Sequence, residues 1–198
     1  MDFKFWLLNE EVNPTEGLDE IIRLIKTRYP TVADSLLEKV KQFIQSSGAN
    51  KIQAVTMSGA LGAALYNKIL ISNYVFSHSL PFIIYVLFHE SAHHYQYKRF
   101  GFVEMTKYFH KEINTEEAVQ FLRRKETVAD NLAIIKLKQL KNSGENIDIT
   151  EIRPLYKGIS DNTLKSYINQ VRDILKERNE KDPVTISETL YNLINVIE

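Results

Sequence analysis

Apolar positions along this chain follow two rhythms, and the change from one to the other predicts its architecture. In residues 16–29, Leu18, Ile21, Ile22, Leu24 and Ile25 recur at the spacing of one helix face, and the pattern must stop before Pro30. A second helix is expected over about 31–46, ended by Ser47-Gly48. Residues 1–8 read as a strand, and so do 51–57 and 68–76, which are rich in Ile, Val and Tyr. The Gly-containing connector 58–67 has room for a third short strand of that central group. From Ser79 onward the rhythm is helical. Ser79 or Leu80 can cap a helix that carries Pro81 in its first turn, where a missing N–H costs nothing, and Gly101 sits where it would stop. Residues 103–113 predict a short helix. Asn114 and Glu117 resemble a capping box at the start of a long helix reaching about Lys141, before Asn142-Ser143-Gly144. Amphipathic helices over about 161–179 and 186–197 close the chain, and the last of them could serve a partner.

This order predicts an α+β fold: a small mixed sheet, a central helix, a following long helix, and extra helices at both termini. One domain over 1–198 is expected, with a core at about 50–141, an N-terminal strand and helices at 1–48, and a C-terminal helical appendage at 150–198.

Charge and composition then narrow the chemistry. The 25 Lys and Arg balance 25 Asp and Glu, so general attraction to nucleic acid or to an anionic membrane is not expected. The longest apolar run, 80–88, is nine residues and ends at His89-Glu90, far short of the ~20 that span a bilayer. The first eight residues lack the basic and apolar regions of a secretory signal, which points to a cytoplasmic protein. With no Cys there is no disulfide, no thiolate nucleophile and no Cys-ligated metal. Any metal must be held by Asp, Glu or the five His.

Two of those histidines stand in His89-Glu90-Ser91-Ala92-His93, a complete H-E-x-x-H within the predicted central helix. At 3.6 residues per turn, His89 and His93 share a face and can reach one ion. Glu90, rotated about 100° from His89, can stand beside that ion and accept a proton from water. A catalytic zinc needs a third protein ligand and an open position. Glu126 and Asp130 lie i, i+4 on the long helix, on a face with Val119, Leu122, Ala129, Ala133 and Leu137. Carboxylates on an apolar stripe are costly unless paired or coordinated. Zinc at Glu126 and a histidine N–H at Asp130 would meet that need, and the two alanines would let the helices approach closely. The plainer alternative is a solvated face on which Arg123 and Lys125 neutralise both acids.

These residues resemble the gluzincin metallopeptidases, in which H-E-x-x-H supplies two ligands and a later E-x-x-x-D helix the third. The segment from Glu126 to Ala133 looks most like compact members such as the ImmA/IrrE-like peptidases, and the likeness covers roughly 50–137. It implies a zincin-like fold and a zinc metalloendopeptidase acting on a protein or peptide substrate. His89, His93 and Glu126 would bind Zn2+, Glu90 would be the base, and Asp130 would orient a ligand imidazole. An edge strand at 68–76 could pair with an extended peptide, or that segment is an ordinary core strand. His94 is expected to serve packing or to hydrogen-bond a group that holds a ligand, and an oxyanion-stabilising group is sought among Tyr85, Tyr97 and Tyr156. The rival reading is a catalytically silent binding or regulatory protein with a structural zinc, and a third is a zinc hydrolase of non-peptide substrates.

Overall fold

The computed structural model describes residues 15–57, 60–101, 113–150, 152 and 160–178. The strand expected at 1–8, the last helix at 186–197 and nearly all of the short helix at 103–113 lie outside the described residues. Among the described residues the chain forms five helices and three strands, an α+β arrangement. The helices are α1 (Leu18–Arg28), α2 (Asp34–Ser46), α3 (Leu80–Phe100), α4 (Thr115–Asn142) and α5 (Asp161–Arg178); the strands are β1 (Lys51–Val55), β2 (Gly62–Ala64) and β3 (Lys68–Ser72).

The three strands form one mixed sheet in the order β1-β3-β2. β1 runs parallel to β3, with Lys51 opposite Lys68 and Val55 opposite Ser72. β2 runs antiparallel to β3, with Gly62 opposite Ile71 and Ala64 opposite Ile69. The segment 68–76 is therefore not an edge strand. Its first half is the central strand, and the edge beside α3 among the described residues is β2. Ile69, Leu70 and Ile71 are all buried, and a continuous apolar run is what a strand covered on both faces requires. The second half leaves the sheet because Ser72 Oγ accepts from the Tyr74 amide at 3.3 Å, opening a 3-10 turn over Asn73–Ser77. Such local side-chain bonds compete with the ladder.

On the far side of β1, Glu16 adds a parallel bridge to Lys51. Gly17 follows with φ 82°, and a Cβ there would lie 2.2 Å from the Ile52 carbonyl oxygen, so the close approach needs glycine.

The helix that carries H-E-x-x-H is the centre of the molecule. Every residue of α3 from Ile83 to Gln96 is buried. The sheet, α2 and α4 all pack on it, which is why its apolar residues lie on every face rather than in one stripe. Phe88 meets Phe43 of α2 edge-on, with ring centroids 4.5 Å apart. On the α4 side, Ala129 and Ala133 are fully buried, and Val119, Leu122 and Leu137 are buried with them. The stripe expected to face inward does so. The start of α4 is capped by Asn114, whose side chain accepts from the Glu116 amide at 2.8 Å rather than from that of Glu117. No helix among the described residues is long and apolar enough to cross a membrane.

Candidate metal centre

Burying α3 on all sides creates a chemical requirement, because six of its buried side chains are polar. These are His89, Glu90, Ser91, His93, His94 and Gln96. A buried polar group without a partner costs on the order of 1–3 kcal/mol, and a buried charge more. Ser91 Oγ turns back to the Leu87 carbonyl at 2.7 Å. His94 faces the sheet, with Nε2 3.2 Å from the Lys68 carbonyl oxygen and its ring edge-on to Tyr97. Burial pushes the His94 imidazole down to about 4. His94 is thus a packing residue of the sheet side.

The other two imidazoles face α4. His89 Nδ1 lies 2.8 Å from Asp130 Oδ1, and the same oxygen accepts from Tyr85 Oη at 2.5 Å. His93 Nδ1 lies 3.0 Å from Gln96 Oε1. Both partners are oxygen acceptors, so each Nδ1 carries its hydrogen and each Nε2 points elsewhere. The two Nε2 atoms point at one another and at Glu126. His89 Nε2 is 3.1 Å from Glu126 Oε2, His93 Nε2 is 3.2 Å from the same oxygen, and the two nitrogens are 3.2 Å apart. Two nitrogen lone pairs and a carboxylate oxygen repel unless positive charge sits among them, as a proton or a metal ion.

The electrostatics point the same way. Burial lowers the His89 pKa, but its hydrogen bonds to the Asp130 and Glu126 carboxylates and the nearby Glu90 charge outweigh it and raise it overall. Burial alone would push Glu126 up; the pull of His93 and hydrogen bonds to both histidines instead hold it well below the usual carboxylate range. The triangle also fits a metal in size. Tetrahedral bonds of about 2.0–2.2 Å separate ligand atoms by about 3.3–3.6 Å, close to the edges present here. His89, His93 and Glu126 therefore form a largely buried group that could hold a metal ion.

Glu90 stands beside this triangle under the edge strand. A Cβ built on Gly62 would lie 2.7 Å from Glu90 Cγ and 2.8 Å from Oε1, so β2 passes over the carboxylate as closely as it does because residue 62 has no side chain. Burial pushes the Glu90 carboxyl up, against the opposing effect of His89 and His93. Further along the same edge, Tyr97 Oη donates to the Ala64 carbonyl at 2.9 Å, and Lys125 Nζ reaches Tyr97 Oη at 3.4 Å.

Of the plainer alternative for the acids, the solvated face is absent, since Asp130 is buried, and Arg123 does not reach them; Lys125 does add a favourable charge beside Glu126. Arg123 turns away to α5, where Nε donates to Asp161 Oδ1 at 2.7 Å, and of the basic run only Arg124 is exposed. Tyr85, one of the candidate oxyanion donors, is fully buried and bonded to Asp130, on the far side of His89 from Glu126. Tyr156, another of those candidates, lies outside the described residues. Three contributors escape a reading of the sequence: Tyr85 as a partner of Asp130, Gln96 as a partner of His93, and Gly62 above Glu90. Tyr85 at i−4 from His89 and Gln96 at i+3 from His93 extend the histidine face in both directions, and that spacing was a signal. Gly62 had none, since only strand pairing brings it to Glu90. No protein family, curated protein or solved structure matches the chain.

Proposed function

We propose that this chain is a zinc metallopeptidase of gluzincin type, with a zincin-like core that hydrolyses peptide bonds of a protein substrate. The observation that carries the reading is the meeting of His89 Nε2, His93 Nε2 and Glu126 Oε2 within 3.2 Å, beside a buried Glu90 that stands outside this group. When bound, zinc supplies the Lewis acidity that polarises a carbonyl and lets water attack near neutral pH. Glu90, with its basicity raised by burial, accepts the proton of the attacking water and returns it to the leaving amine. Asp130 holds the His89 ring, and Tyr85 holds Asp130.

Binding of an extended peptide is supported at β2 rather than at 68–76. Leu61 and Leu65 bond across to β3, so Gly62 directs its backbone groups to the outer edge, where the Ala64 carbonyl already accepts from Tyr97 Oη. A peptide added there would run over Glu90.

A specific observation favours the rival, a regulatory protein with a structural zinc: His89, His93 and Glu90 are each 7% exposed or less, as in a closed site. Glu90→Gln separates the two. It keeps three ligands and side-chain shape, so zinc content and melting temperature should stay at wild-type values while peptide hydrolysis falls by ~10² or more. A silent Glu90→Gln in the native biological assay would sink the peptidase reading. One zinc per chain is expected by elemental analysis, with loss of affinity in Glu126→Ala.

A further inference from the structure

We infer that Gln96 is a positioning residue for the metal centre: it sets the His93 tautomer and ties that ring to the turn of α4 that carries Glu126. This rests on the metal-centre reading above, and the test below distinguishes the failure of either. Gln96 is buried, and its amide offers one oxygen acceptor and one nitrogen donor at the same end of the side chain. Nε2 donates to the Lys125 carbonyl at 2.8 Å. A carbonyl can only accept, so this bond decides which way the amide faces. The oxygen is thereby turned to His93 Nδ1, at 3.0 Å. An oxygen there requires a hydrogen on Nδ1 and leaves the Nε2 lone pair for the triangle. The flipped amide would set its oxygen against the Lys125 carbonyl oxygen, losing that bond, and its NH2 would hold His93 in the other tautomer.

The bridge spans two helices. Lys125 precedes Glu126 directly, so Gln96 links the His93 ring of α3 to the backbone beside the Glu126 of α4. His89 is held from the same helix by Asp130, one turn further on. Both imidazoles of the triangle are therefore tied to α4, His89 through an acid of that helix and His93 through the neutral amide of Gln96. The neutral choice matters. A second acid at position 96 would face the Lys125 carbonyl with no donor to offer, in a pocket that already buries Glu90, Glu126 and Asp130.

The test uses the full chain with zinc and cobalt as probes. Gln96→Met keeps the length of the side chain and removes both bonds. Zinc affinity, measured by competition with a chromophoric chelator, should fall about 10- to 100-fold, the usual scale for an outer-shell partner. The visible absorption of the Co2+ form should change in intensity and position, which a merely structural role would not cause, while the metal-free melting temperature stays within a few degrees. Wild-type affinity and an unchanged Co2+ spectrum in Gln96→Met would overturn the assignment. A second measurement needs no variant: in zinc-loaded wild type the His93 Nδ1–H should appear in long-range 15N spectra, protected from exchange. A His93 Nδ1–H exchanging as fast as that of an exposed imidazole would also overturn it. A wild type that binds no zinc overturns the metal-centre reading and this inference together; zinc-binding wild type with an indifferent Gln96→Met overturns this one alone.

Discussion

Gly62 contributes to the centre by what it lacks. Its missing methyl group leaves room for the Glu90 carboxylate, and a Cβ in its place would stand 2.7 Å from Glu90 Cγ. Van der Waals contact requires several tenths of an ångström more, so Gly62→Ala should push the carboxylate aside without touching His89, His93 or Glu126. Zinc content is expected to hold and peptide hydrolysis to fall, on the order of 10²-fold for a displacement near 1 Å. Wild-type turnover in that variant would mean that Glu90 is positioned by something else. Tyr85 is the complementary case, a buried hydroxyl whose bond to Asp130 leaves the carboxylate a firm partner for His89. Removing it in Tyr85→Phe leaves the ring packing intact. A hydrogen bond to a charged group is worth about 1.5–3 kcal/mol, so urea unfolding should register a loss of that order. An unchanged midpoint would show that Asp130 is held without Tyr85.

The pairing of α3 with α4 decides whether a metal centre exists, since each helix carries only part of the ligand set. Close approach depends on the small side chains Ala129 and Ala133, both fully buried. Ala133→Arg would force a long side chain and an unpaired charge into that seam, and it should lower the melting temperature by many degrees or abolish folding. Retention of the wild-type melting temperature would count against the packing described. The contact of α4 with α5 has a buried apolar part, Leu164, Ile168 and Val171, and an ion pair at its edge. In that pair Arg123 and Asp161 are both substantially exposed, and a pair in water typically contributes under about 1 kcal/mol. Arg123→Ala should accordingly leave chemical denaturation nearly unchanged. A loss of several kcal/mol would mean that the pair is coupled to more than water-exposed charge. The basic run from Arg123 to Lys125 looks uniform in sequence, yet each of its residues has a different fate: one to α5, one exposed, one to Tyr97. A helix turns by about 100° per residue, so adjacent charges must face different neighbours.

Metal and fold should be linked, because a ligand that binds only the folded chain stabilises it by mass action, by about 2.7 kcal/mol at a hundred times its dissociation constant. Chelation is therefore expected to lower the melting temperature, and added zinc to restore it, in wild type but not in His89→Ala. Equal melting temperatures with and without chelator would contradict a bound metal. How much of this could be read without coordinates depended on distance along the chain. His89, Glu90 and His93 were legible because helical geometry alone places residues four apart on one face. Glu126 and Asp130 were legible because acids on an apolar stripe need an explanation, and the buried stripe from Val119 to Leu137 supplies the setting. Helix ends at Pro30, Gly48 and Gly101 were legible from backbone restrictions that belong to single residues. The order of the sheet was not: 68–76 could be an edge or a core strand, and only the return of β2 across β3 made it central. The same pairing put Gly62 over Glu90, and helix packing put Gln96 against the Lys125 carbonyl. Local periodicity is set by the covalent chain, so the sequence contains it outright. Contacts between segments depend on which surfaces are buried together, and that was decided only when the sheet, α3 and α4 closed on one another.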